Sequence, residues 1–237
     1  MNIVWVIVKK ELSSYFLGPI APVFLSVFWI FTGWYFLKFL FVDGSAHMRV
    51  MFEAMPWILM CILPSFSMRI WSEEIRSGTL PFIMTFPIRD SQLIAGKFLA
   101  GAGIVIFSIL GTLPLAAIVT ALGEPDIGGI VMGYLGTICL GLAYLSVGML
   151  MSLLTRNQIV AFILTVMLCF IGNTLSNGIL LDALPTVITP LLMTMSFMHH
   201  YVSMLRGVLD IRDILYFISV IIFFLYLNLQ VMGLRRN

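Results

Sequence analysis

The residues able to do chemistry are few in this chain, and their spacing excludes more than it allows. No G-x-x-x-x-G-K-S/T run occurs, so the chain has no loop of its own to cradle a nucleotide phosphate. Neither H-E-x-x-H nor G-x-S-x-G occurs, which removes the residues of a metalloprotease or an esterase. His199 and His200 are adjacent. Neighbours on a helix point about 100° apart and do not converge on one metal, as residues spaced by three or four would. Cys61, Cys139 and Cys169 fall singly inside apolar runs, as small buried hydrophobes do. No catalytic residue, metal ligand set or cofactor site is expected.

Charge concentrates instead in one stretch. "IWSEEIRSGTLPFIMTFPIRD", residues 70–90, holds three acids and two arginines in a chain of which only 10% is charged. Its apolar half, Leu80 to Phe86, cannot cross a bilayer, which takes about 20 residues. A helix is expected over residues 70–77, with Arg69 and Arg76 each within reach of Glu73 for a weak exposed pair. Gly78 suits its C-terminus, Thr79 can cap a following helix, and Pro81 is tolerated in that helix's first turn. The second helix runs to Phe86, before Pro87, and Asp90 or Ser91 caps the next. So short a helix is not stable alone in water. Phe82, Ile83, Met84 and Phe86 therefore need cover, either from the inner leaflet or from a groove on a cytoplasmic partner.

The elements around that stretch are apolar enough to settle the class. Of 237 residues, 61% are hydrophobic, against about 45–50% in a soluble domain, and the mean hydropathy is +1.08. The chain reads as an all-α polytopic membrane protein forming a single transmembrane unit, 1–237. Six spans are expected: Ile20–Val42, Ala54–Trp71, Leu93–Leu122, Ile127–Leu154, Ile159–Leu180 and Ile214–Leu234. Residues 2–16 form an interfacial helix, with Trp5, Leu12, Tyr15 and Phe16 toward lipid and Lys9 and Lys10 toward headgroups; Gly18-Pro19 ends it. Residues 72–90 form the cytoplasmic loop. Residues 181–212, broken by Pro185 and Pro190, form re-entrant or interfacial helices on the outer side.

Nine of the thirteen lysines and arginines fall on the side of residues 72–90 when six spans alternate, which places that loop and both termini in the cytoplasm. No basic block suggests nucleic acid. No acid lies near the middle of a span, which disfavours an ion-coupled transporter. Gly129, Gly133, Thr137 and Gly141 recur every four residues, a stripe that lets a helix approach closely, within the monomer or across a homodimer. Asn173, Asn177 and Asn228 are polar positions in or beside spans five and six. They either line a substrate path or satisfy interhelical hydrogen bonds.

"SEEIRSGTLPFIMTFPIRDSQLIAGKFLA" resembles the E-E-x-x-x-G-T-L…P…GK stretch of type-2 ABC exporter permeases. "VKKELSSYFLGPIAP" and "HHYVSMLRGVLDIRDILYFISVIIFFLYLNLQVM" are similar to the branch holding the gliding-motility and nitrous-oxide-reductase maturation permeases. The resemblance implies six spans, an N-terminal interfacial helix and short outer helices between spans five and six. It implies a multi-pass protein of the bacterial inner membrane, working as a homodimer with two separate ATPase subunits that bind ATP and Mg. It also implies a coupling helix between spans two and three that seats in the ATPase, matched here by residues 75–86. Glu73, Glu74, Arg76, Gly78, Thr79, Leu80, Phe82, Ile83 and Phe86 are the docking residues on that reading. Pro81 stands where relatives often carry an acidic or polar residue. Energy then comes from a partner chain, with an auxiliary subunit bearing an extracytoplasmic domain as a further partner. The alternative is a membrane scaffold for a motility or assembly complex that moves no substrate.

Overall fold

Prolines, glycines and a few polar side chains decide where the apolar stretches break. The computed structural model describes residues 3–42, 47–122, 126–178 and 188–236, and every regular element among them is a helix. The helices are α1 (Ile3–Leu17), α2 (Ile20–Val42), α3 (Met48–Ser67), α4 (Arg69–Arg76), α5 (Leu80–Thr85), α6 (Asp90–Leu110), α7 (Leu113–Leu122), α8 (Ile127–Leu154) and α9 (Gln158–Thr174). Two short helices, α10 (Thr189–Met195) and α11 (Phe197–Met204), precede the long α12 (Ile211–Arg236).

Five helical runs are long and apolar enough to cross a membrane: Ala21–Val42, Met48–Arg76, Asp90–Leu122, Ile127–Leu154 and Ile211–Arg235. The expected fifth span is shorter in the structure, since α9 ends at Thr174 after 17 residues. Its expected end at Leu180, and residues 181–187 of the expected outer segment, lie outside the described residues. Beyond them, α10 and α11 supply the short helices anticipated before the last span.

The expected second span, Ala54–Trp71, starts too late. Helix α3 begins at Met48, and its first turns carry an Arg49–Glu53 pair, with Nε 3.0 Å from Oε1. Charge and Pro56 hid those turns from hydropathy. Pro56 has no N–H to offer the carbonyl four residues back, which is that of Phe52. The Tyr201 hydroxyl donates to that oxygen at 2.7 Å instead, so the helix runs through the proline.

The expected third span, Leu93–Leu122, is broken at Gly111-Thr112. The Ser108 carbonyl freed there accepts from Trp29 Nε1 at 2.8 Å, as backbone at membrane depth requires. A Cβ on Gly111 would meet the Trp29 ring at 2.5 Å, so glycine is needed where the indole crosses.

Helix α8 is the axis of the bundle, packing on α3, α4, α6, α9, α11 and α12. The small-residue stripe is used inside the chain. A Cβ on Gly133 would stand 2.4 Å from the Phe52 ring, and one on Gly141 would stand 2.8 Å from Val105. Thr137 Oγ1 shares a hydrogen bond with the Tyr201 hydroxyl at 3.0 Å. Gly129 N–H donates to Asp126 Oδ1 at 3.1 Å, capping the helix.

Candidate functional site

The stretch from residue 69 to 90 is fixed at both ends. Helix α4 follows α3 after a break at Met68 that the Ser152 hydroxyl of α8 bridges. Ser152 Oγ accepts from Trp71 N–H and Ser72 N–H, each at 3.0 Å, and donates to the Met68 carbonyl at 2.7 Å. Helix α4 then closes on a Schellman turn: Thr79 N–H reaches the Glu74 carbonyl at 3.0 Å, and Gly78 N–H reaches that of Ile75 at 3.4 Å. Gly78 sits at φ +72°, which only glycine adopts without strain. Thr79, expected to cap α5, instead turns its hydroxyl back to the Glu74 carbonyl at 3.4 Å and to Ser77 Oγ at 2.9 Å. Helix α6 starts at Asp90 with Arg89 at its cap position, where the Gln92 side chain accepts the Arg89 N–H.

Helix α5 divides its faces sharply. Leu80 is 5% exposed and holds the helix to the body, and Ile83 and Met84 are half-buried against the core. Phe82 is 71% exposed and Phe86 58%. Of the residues expected to dock, Glu73, Arg76, Gly78, Thr79, Phe82 and Phe86 lie at the surface, whereas Leu80 faces inward. The expected pairs of Glu73 with Arg69 and Arg76 do not form. Glu73 and Arg76 are exposed, and such pairs are worth too little to hold a geometry.

Glu74 is bound inside the protein, to a residue that charge counting had left at the membrane surface. Lys97, two turns into α6, is 2% exposed. Its Nζ lies 2.7 Å from Glu74 Oε1, 3.4 Å from Glu11 Oε1 on α1 and 3.2 Å from the Ile70 carbonyl. The ammonium also sits 4.9 Å from the centroid of the Trp71 ring. Helix α1 is thereby joined to the loop. Tyr15, expected toward lipid, is buried edge-on against Phe66, with centroids 5.2 Å apart. Burial pushes its phenol up, and the adjacent Glu11 carboxylate adds to the shift. Trp5 and Phe16 do face outward. Glu11 and Lys97 escaped sequence reasoning because they lie far apart in the chain, on α1 and α6, and only the fold brings them together.

Asn173 is buried, accepting the Tyr144 hydroxyl at 2.6 Å. Asn228 is buried on α12 and donates to the Phe224 carbonyl at 2.9 Å, while Asn177 lies at the surface near the end of α9. At the opposite end of the bundle from the loop, His200 Nδ1 is 2.7 Å from Asp213 Oδ1 and its ring stacks on Tyr216 at 3.9 Å. This pair ties α11 to α12. Among the described residues no group of histidines, cysteines and acids is arranged to hold a metal.

Residues 6–234 match the family of ABC-2 family transporter proteins. The chain belongs to that family. It is a permease component of an ABC transporter, a multi-pass membrane protein whose family membership implies partnership with an ABC ATPase. Comparison with curated proteins finds no match.

Proposed function

We propose that this permease works in an exporter-type transporter, or an ABC machine doing mechanical work, and that α5 is the helix by which the ATPase grips it. The observation that carries this reading is the exposure of Phe82 on a short helix, and of Phe86 at its C-terminal cap, with the Gly78 turn closing the backbone before the helix and Leu80 pinning its inner face. Two aromatic rings held out by a fixed frame suit insertion into a groove. Rings that merely filled the inner leaflet would need no such frame.

On this reading residues 3–17 lie along the inner membrane surface, α9 completes a sixth crossing, and the loop and both termini are cytoplasmic. Two copies of the chain pair, and each engages one ATPase that binds ATP and Mg. Closing of the two ATPases moves the docking helices, and the spans rock as rigid bodies between two states. The similarity to the gliding-motility and nitrous-oxide-reductase maturation branch supports an auxiliary subunit with an extracytoplasmic domain. Asn173 acts in helix packing, since it already accepts a hydrogen bond from Tyr144 of α8.

The test is copurification of the ATPase with the tagged chain in Phe82→Asp. Loss of the ATPase from a permease that still inserts supports the reading. Retention of wild-type binding sinks it.

A further inference from the structure

The buried ion cluster at the root of the loop does more than close a charge balance. Lys10, Glu11, Lys97 and Glu74 alternate in sign along one chain of contacts, from the exposed Lys10 to the interior. Each contact crosses from one element to another or from surface to core: α1 to α6 through Glu11 and Lys97, and α6 to α4 through Lys97 and Glu74. The backbone packing is as close as the charges. A Cβ on Gly96, beside Lys97, would stand 2.7 Å from Ile7 of α1, so α1 cannot slide over α6 without carrying it along. Glu74 also serves both sides of the joint. Its carboxylate meets Lys97, while its main-chain carbonyl accepts Thr79 N–H, where the loop turns.

The cluster is also incompletely satisfied. Among the described residues, Trp71 Nε1 and Glu74 Oε2 are buried without a hydrogen-bond partner, and both residues border Lys97. A buried donor and a buried acceptor left unpaired are costly unless another arrangement uses them. Trp71 and Glu74 stand three residues apart on α4, so they share a face of that helix.

We propose that Lys97 is a positioning residue that passes movement of the α4–α5 loop to α1 and α6, making α1 a moving part of the machine rather than a passive surface anchor. This rests on the reading that an ATPase moves the loop, but the linkage of α1 to the loop is testable in the permease alone.

The experiment follows hydrogen exchange of the full chain in nanodiscs of phosphatidylethanolamine and phosphatidylglycerol. In Lys97→Met, exchange over residues 3–17 and 72–86 is expected to rise together, about tenfold or more, with α8 unchanged. Glu74→Gln combined with Lys97→Met restores charge balance and keeps the fold, and it should show the same joint rise. A rise in one segment only, or in neither, overturns the proposal. In the complex with the ATPase, spin labels at Ser13→Cys and Leu154→Cys, in a Cys61→Ser background, report movement of α1 against α8. ATP is expected to change their separation in the parent and not in Lys97→Met. An equal change in both overturns the proposal, and so does loss of the ATPase from Lys97→Met, which would make Lys97 a docking residue. If Phe82→Asp keeps its ATPase, the docking reading falls while the exchange result still decides the linkage.

Discussion

Lys97 Nζ lies 2.7 Å from Glu74 Oε1, in a pocket that leaves 2% of the lysine exposed. A lysine so deep in an apolar bundle is costly unless paired, and the pairing spans 23 residues of sequence. Removing only the cation leaves Glu74 and Glu11 buried against one another. Lys97→Met should therefore cost about 3–5 kcal/mol. Glu74→Gln in the same chain should recover most of that loss, because neutral replacement of a buried pair is often nearly cost-free. Thermal unfolding of the three purified chains in one detergent checks the order. Equal stability of the single and double variants would show that Lys97 is not held by Glu74.

The two faces of α5 predict a split between binding and folding. Phe82 is exposed, so Phe82→Asp should leave the fold stability of the permease within about 0.5 kcal/mol of the parent while weakening ATPase binding at least tenfold, about 1.4 kcal/mol. Leu80 is buried, so Leu80→Ala should cost about 2–5 kcal/mol of fold stability. Ile83, half-buried, should show both effects when changed to Asp. Parallel melting and pull-down measurements on the three variants would reveal a loop that does not divide this way.

How much of this was legible in the sequence depends on the range of each interaction. The turn at Gly78, the helix on either side of it and the axis helix 127–154 follow from local chemistry and hydropathy, and the structure has them. The start of α3 was not legible, because Arg49, Glu53 and Pro56 argue against a span when read singly. Their compensation comes from the i,i+4 pair and from Tyr201, 149 residues from the carbonyl it satisfies. The break at Gly111 likewise depends on Trp29, which approaches from another helix. Glu11 and Lys97 stood in quoted stretches of sequence, but nothing local showed that they pair. A lone lysine in an apolar run reads as the end of a span until the fold supplies two carboxylates.

Orientation yields a direct labelling prediction. Ser77→Cys, in the exposed loop, should react with an impermeant maleimide only after the cytoplasmic face is opened, and Asp126→Cys should react in intact cells. Both are made on Cys61→Ser, since Cys61 is the exposed native thiol among the described residues. Labelling of Ser77→Cys in intact cells would reverse the assigned sidedness.

The glycines of the axis helix predict opposite outcomes from one substitution. Gly133→Ala drives a methyl to 2.4 Å from Phe52, a buried ring already packed edge-on to Tyr134 at 5.2 Å. The ring has nowhere to go, and the expected cost is about 1–3 kcal/mol. Gly233→Ala meets nothing within 4 Å in α12. It should be neutral or stabilise by about 0.5–1 kcal/mol through reduced chain entropy. Melting temperatures of the two variants decide the matter, and a destabilised Gly233→Ala would point to a second helix covering that face.

Pro56 and Tyr201 offer the sharpest test of how the bundle satisfies its own backbone. The proline withholds a donor from the Phe52 carbonyl, and the Tyr201 hydroxyl provides one at 2.7 Å from the other side of the core. Tyr201→Phe keeps the ring and removes the donor, leaving a buried acceptor unpaired at about 1–3 kcal/mol. Pro56→Ala returns an N–H to α3, and that N–H can bond the Phe52 carbonyl as any helical residue would. Tyr201→Phe should then cost markedly less in the Pro56→Ala background than in the parent, a coupling that a double-mutant cycle reads directly. Strictly additive effects would mean that Tyr201 acts through its bond to Thr137 and that the Phe52 carbonyl needs no donor from across the bundle.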